Sequence, residues 1–204
     1  MLRMLAALLL LPPLLLCGPA VAQAATADTA IQMKAGVFSP PRMAPEIALR
    51  GSDGSELKLA QHRGKVVVMA FGFTHCPEVC PTTLAVLAQA RKKLGANASQ
   101  MQVVYVTVDP ERDDAARMKS YLANFDPSFI GATGKPEALA AARKAYGITS
   151  NKVVMPSGGY AFDHSSSIYL IDRDGKLRAM MPYGRSANDF AHDVALLLQP
   201  AGKQ

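Results

Sequence analysis

The sequence predicts an α/β fold of three layers, a central mixed sheet flanked by helices, with an N-terminal hairpin. Three observations support it. Residues 65–73 (KVVVMAFGF) and 101–108 (MQVVYVTV) are nearly continuous apolar runs, the pattern of strands buried on both faces. Helical periodicity appears between and after them, over 82–94, 113–123 and 136–146. Near the C-terminus two further strands, 167–172 and 176–181, are joined through Arg173-Asp174-Gly175 and followed by a closing helix. Elements in this order stack as layers of one domain, and 204 residues, 50% of them hydrophobic, are ample for its core.

Taken in order, the chain begins with Met1-Leu2-Arg3, a short positive start, then an apolar stretch over 5–17 and a small-residue exit at Ala20-Val21-Ala22. Residues 1–22 therefore read as a secretory signal peptide, which assigns the mature chain to the periplasm. The apolar run is shorter than the ~20 residues a spanning helix needs, and Pro12-Pro13 interrupts it. Two other readings use the same residues: an uncleaved anchor extended to Ala25, and a lipoprotein attached through Cys17. Residues 23–45 are alanine-rich, carry Ser39-Pro40-Pro41 and Pro45, and show no hydrophobic period, so they read as a flexible arm. The folded domain runs over 46–199. Glu46-Ile47-Ala48-Leu49 and Leu57-Lys58-Leu59 alternate on either side of Ser52-Asp53-Gly54, a hairpin pattern. Ser186 caps the last helix, whose apolar positions are Ala187, Phe190, Val194, Leu197 and Leu198.

The net charge of +6 falls to +5 once residues 1–22 leave, because Arg3 is their only charged residue. No block of like charge and no interleaved aromatics mark a nucleic-acid surface, so no nucleic-acid partner is expected. Membrane contact is expected only through an N-terminal anchor. Three cysteines are too few to staple a scaffold or to fill a four-thiolate zinc site. Cleavage removes Cys17 and leaves Cys76 and Cys80 in an oxidising compartment.

That pair directly follows the first buried strand and precedes a helix, at the carboxyl edge of the sheet where open α/β folds place their sites. Each cysteine stands before a proline. Pro81 suits the first helical position, which leaves Cys80 near the cap, where free amides and the helix dipole favour a thiolate. A bridge across so short a loop constrains the unfolded chain little. A plain structural disulfide is therefore the weaker explanation, and metal binding, redox chemistry or both the stronger. Two soft thiolates suit Cu(I) or Zn and need a third ligand. His164, at the mouth of the third strand, is the candidate, with Asp163 beside it as the group that orients the ring; a histidine that simply caps the strand is the alternative. His75 adjoins Cys76, but neighbours on extended chain face opposite ways. His62 and His192 read as surface groups, and Met33, Met43, Met180 and Met181 as gap fillers rather than Cu(I) ligands.

Phe71-Gly72-Phe73-Thr74-His75-Cys76-Pro77-Glu78-Val79-Cys80-Pro81 resembles the cysteine motif of the SCO/SenC copper chaperones. Val108-Asp109-Pro110-Glu111-Arg112-Asp113 resembles their second signature, and Asp163-His164-Ser165-Ser166-Ser167-Ile168-Tyr169-Leu170-Ile171-Asp172 their third. The resemblance runs from about Pro45 to Leu198, and three motifs in this order are highly specific together. It implies a thioredoxin-like fold that holds copper, as Cu(I) and as Cu(II), on Cys76, Cys80 and His164. It further implies assembly of the binuclear copper site of cytochrome c oxidase. The chain would deliver copper to the oxidase's copper-accepting subunit or another periplasmic copper protein, or reduce that target's cysteines, with a periplasmic thiol reductant keeping its own pair reduced. Asp109 and Arg112 of the second signature have no settled ligand role and stand as structural or docking candidates. Many members keep a clear membrane anchor, whereas this N-terminus reads as cleavable. The enzyme alternative is a thiol–disulfide oxidoreductase, in which Cys76 and Cys80 are a redox-active pair that closes as a disulfide and His164 tunes the thiolate. Such enzymes usually space the pair as CxxC, so a metallochaperone is the leading expectation.

Overall fold

In the computed structural model of the chain, residues 32–156 and 158–200 are described. The segment read as signal peptide or anchor, Cys17 included, and residues 23–31 of the arm lie outside them. The elements are β1 (Gly36–Met43), β2 (Ala48–Gly51), β3 (Glu56–Lys58), β4 (Val66–Gly72), α1 (Val79–Lys93), β5 (Met101–Thr107), α2 (Ala115–Ala123), β6 (Ile130–Thr133), α3 (Pro136–Ala145), β7 (Ser150–Val154), β8 (Tyr160–His164), β9 (Ile168–Ile171), β10 (Lys176–Met181) and α4 (Ala187–Leu198). None of the described helices is long and apolar enough to cross a membrane.

Eight strands form one mixed sheet in the order β1-β10-β9-β4-β5-β6-β2-β3. Its centre is β4 and β5, buried at every position and parallel, with Val66 opposite Met101 and Gly72 opposite Thr107. Burial on both faces is what their unbroken apolar runs require. β6 continues the parallel run beside β5, while β9 pairs antiparallel with β4. The expected hairpin is present as β2 and β3, Leu49 opposite Leu57. Asp53 Oδ1 accepts from the Ser55 amide at 2.9 Å, and Gly54 takes a φ of 88° that an L side chain resists. Helices α1 and α4 pack on one another, and α2 lies against β6.

Four findings depart from the expectations or add to them. First, the arm is not free throughout: residues 36–43 form the edge strand β1, antiparallel to β10. Pro40 and Pro41, two of the prolines that suggested a tether, sit where the register shifts between Val37 and Arg42, and an edge strand tolerates such residues because one side makes no ladder bonds. Second, Asp193 beside His192 is fully buried, and its carboxylate accepts the amides of Lys34 and Ala35 at 2.8 and 2.9 Å. Third, Pro81 is not the first helical residue. α1 starts at Val79, which makes Cys80 the second and Pro81 the third. Amides throughout the first turn lack intrahelical acceptors, so proline removes nothing there. Fourth, three strands were not expected: β6, and the pair β7 and β8, which form a two-stranded sheet separate from the main one.

Candidate metal centre

The loop 73–78 leaves the end of β4 and carries Cys76. It is held from below by one buried carboxylate. Asp113 Oδ2 accepts from the Thr74 amide at 3.0 Å and from Thr107 Oγ1 at 2.7 Å, and Oδ1 accepts from Thr74 Oγ1 at 2.6 Å. Arg117 Nε donates to Thr74 Oγ1 at 3.0 Å. Cys76, half-buried, follows two residues later, and its Sγ accepts the amide of Cys80 at 3.4 Å.

Cys80 belongs to the core. It opens the buried stripe of α1 that continues through Leu84, Leu87 and Ala90, and only 3% of its surface is exposed. Burial pushes its thiol up to about 12, and the Tyr105 hydroxyl opposes that shift. The thiolate expected from the helix dipole is therefore overruled in the metal-free protein. Both cysteines are free thiols.

His164 ends β8. Its Nδ1 lies 2.9 Å from the carbonyl oxygen of Ser165, which can only accept, so the ring proton sits on Nδ1. The bare Nε2 faces Cys80 Sγ at 3.9 Å. Asp163, expected to orient the ring, does not do so: it is exposed, because alternate residues of a strand face opposite ways. The Ser165 carbonyl takes that role. The third ring of the neighbourhood, Phe73, meets His164 edge to face at 5.9 Å and Phe162 at 5.7 Å.

What brings β8 to the cysteines is the second signature. Arg112 pairs with Asp109, its Nη1 donates to the Tyr160 carbonyl at 3.1 Å, and its guanidinium lies 3.8 Å from the centre of the Tyr160 ring. Tyr160 Oη lies 3.0 Å from Asp109 Oδ1 and 3.1 Å from Glu111 Oε2. Lys152 of β7 reaches Glu111 at 2.7 Å. Asp109 and Arg112 thus fasten the hairpin to the sheet edge. Sequence reasoning missed this hairpin, although Tyr160, Phe162 and His164 at every second position were its signal. His75 is exposed, with Nδ1 3.2 Å from Thr74 Oγ1 and 4.0 Å from Asp113. His75, Asp109 and Asp113 bring ligand atoms within 4.8 Å of one another, but both carboxylates are already engaged as described.

Cys80 Sγ and His164 Nε2 therefore meet at the sheet edge, and Cys76 stands on the loop just before them with its Sγ on the Cys80 amide; sulfur and imidazole donors of this kind suit Cu(I) or Zn. The sequence matches the family profile described as SCO1/SenC over residues 39–199.

The chain belongs to the SCO1/SenC family.

The matched span runs from β1 past the end of α4 and contains every residue of the site. Among relatives of this SCO1/SenC member, the protein SCO2 homolog, mitochondrial, of Mus musculus is 39% identical over 143 residues, which cover 66% of this chain and 54% of that one. The chain spans about half the length of the mammalian relatives it matches. The structure of Bradyrhizobium japonicum ScoI with copper bound is 34% identical, covers 75% of this chain and 98% of that one, and superposes with a TM-score of 0.69. BsSco, described as a member of the Sco family of cytochrome c oxidase assembly proteins with a disulfide switch, is 25% identical over 80% of this chain and 98% of its own, with a TM-score of 0.62. These neighbours share the thioredoxin-like fold expected from the motifs.

Proposed function

We propose that this protein is a copper metallochaperone of the periplasm, which binds Cu(I) and Cu(II) through Cys76, Cys80 and His164 and serves assembly of the copper site of cytochrome c oxidase. The observation that carries this reading is the bare Nε2 of His164 aimed at Cys80 Sγ from 3.9 Å. The copper-bound ScoI relative and the oxidase-assembly description of BsSco support it.

Copper is the cargo here. The chain's own residues prepare for it: the Ser165 carbonyl fixes the imidazole tautomer, the Cys80 amide supports charge on Cys76 Sγ, and the core excludes water from Cys80. Capture releases the Cys80 proton to solvent, because the bound form is the thiolate. Three protein ligands leave one side open, through which an acceptor protein can exchange ligands. The pair must be reduced beforehand, since a disulfide offers no thiolate.

The test is a titration of the reduced protein with Cu(I) and with Cu(II), repeated on His164→Ala. The wild type is expected to bind both ions, and the variant to lose Cu(II) affinity by tenfold or more while two sulfurs still hold Cu(I). Unchanged Cu(II) binding in the variant would sink the proposed ligand set. A thiol–disulfide oxidoreductase is the second reading, favoured by the asymmetry of a half-exposed Cys76 and a buried Cys80. Full dithiol reductase activity in His164→Ala, with no copper bound by the wild type, would select it.

A further inference from the structure

Tyr105 lies in the middle of β5, opposite Ala70 of β4, and is 1% exposed. Its ring belongs to the core, but its hydroxyl is a buried polar atom with no hydrogen-bond partner of good geometry. Such groups are rare because the lost hydration is not replaced. The hydroxyl reaches over the end of β4 at Gly72. A Cβ placed on Gly72 would lie 2.0 Å from Tyr105 Oη and 2.7 Å from Cys80 Sγ, so oxygen and sulfur converge on one side of that residue. Of the other polar side chains around Cys80, Thr83 Oγ1 donates to the Val79 carbonyl and His164 Nδ1 to that of Ser165. Tyr105, Cys80 and His164 line one small cavity, and Cys80 Sγ is the polar atom that converges with the hydroxyl at Gly72. A thiol sulfur accepts hydrogen bonds weakly, whereas a thiolate accepts them strongly. The hydroxyl is unsatisfied in the resting dithiol and acquires its acceptor when Cys80 carries charge.

We infer that Tyr105 is a tuning residue of the site: its hydroxyl donates a hydrogen bond to the Cys80 thiolate and biases bound copper toward Cu(I). This rests on the copper reading above. Donation withdraws charge from the sulfur, and hydrogen bonding around a cysteine sulfur is one of the levers that set a copper–thiolate potential. Less sulfur-to-metal donation favours the lower oxidation state. The residue acts through Cys80 and does not itself ligate.

The test is Tyr105→Phe, which keeps the ring and removes only the oxygen. With copper loaded, the variant's thiolate-to-Cu(II) absorption band shifts to longer wavelength, and its Cu(I)-over-Cu(II) affinity ratio falls by about tenfold, the size of one hydrogen bond to a charged group. A band and a ratio equal to wild type overturn the inference. Should the variant fail to fold, the wild type decides: on loading with diamagnetic Cu(I), the Tyr105 hydroxyl proton appears as a slowly exchanging NMR resonance, and its absence counts against the hydrogen bond. Should the wild type bind no copper, the copper reading falls. Zn(II), which also binds cysteine as the thiolate, then answers for Tyr105. On loading with Zn(II) the Tyr105 hydroxyl proton is expected to become a slowly exchanging NMR resonance, because Cys80 then carries charge. Its absence from the zinc-loaded protein overturns the inference independently.

Discussion

At Gly72 the absence of one methyl group decides how closely Cys80 can approach the sheet. A Cβ there would collide with both the Tyr105 hydroxyl and the Cys80 sulfur. Gly72→Ala is therefore expected to destabilise the fold by about 1–3 kcal/mol, as overpacked cores do, and to weaken copper binding; urea denaturation and a Cu(I) titration read the two effects. The ionisation of Cys80 gives a second expectation. Burial raises its pKa from 9.0 to about 12, so the fold favours the neutral thiol. That contribution to stability is fully present below the pKa of the unfolded thiol and is lost as pH climbs toward the folded value. The metal-free wild type should lose more stability between about pH 8 and pH 10 than Cys80→Ala, which has no thiol to titrate there. Equal losses would contradict it. Copper capture shows the opposite trend: each proton released on binding strengthens affinity about tenfold per pH unit in this range.

At the scale of elements, the site is divided between two sheets. The cysteines stand on the loop and helix after β4, while His164 stands on the β7–β8 hairpin, which joins no strand of the main sheet. Arg112 bridges them through Asp109 and Tyr160. Arg112→Ala is expected to speed amide hydrogen exchange across 150–164 and to cut Cu(II) affinity through loss of His164's position, with little effect on Cu(I). Asp113 carries a different load. It is fully buried and accepts three hydrogen bonds, two of them from Thr74. Replacing it by alanine strands those donors, so Asp113→Ala should lower unfolding stability by about 3–5 kcal/mol in a denaturant titration. These elements also show what a sequence discloses. The runs that became β4 and β5 were plain, because burial on both faces leaves nothing but apolar residues. Ser186 was plain because its side chain caps α4 through a reciprocal bond with Asp189. The β7–β8 hairpin was not, since none of its strand residues is fully buried and its order comes from charged partners forty or more positions away. For the same reason Asp163 was credited with a task that a backbone carbonyl performs.

Across the whole molecule, burial at the core and order at the periphery arise by different means. The parallel centre is apolar and its strands follow from hydrophobic pattern. The N-terminal edge is held by polar groups: Asp193 receives two amides from 158 and 159 positions away, and Arg185 Nη2 donates to the Lys34 carbonyl at 2.9 Å. Composition alone therefore suggested a loose arm where a strand exists. Asp193→Ala is expected to expose 34–43 to limited proteolysis while leaving Cu(I) binding by the intact domain unchanged. Cleavage no faster than wild type would show that β1 is held by its pairing with β10 alone.

The base of the hairpin closes through the Ser150–His164 pair and through Ser165, whose amide donates to the Thr149 carbonyl at 3.1 Å. Its far end carries Val154, Met155 and Gly158, exposed and remote from that base in the pairing register. A lever is located by its fulcrum, not by its tip. Residues could be exchanged at 154–156 without moving the imidazole, so the tip is free to diversify while the end that carries His164 keeps its setting.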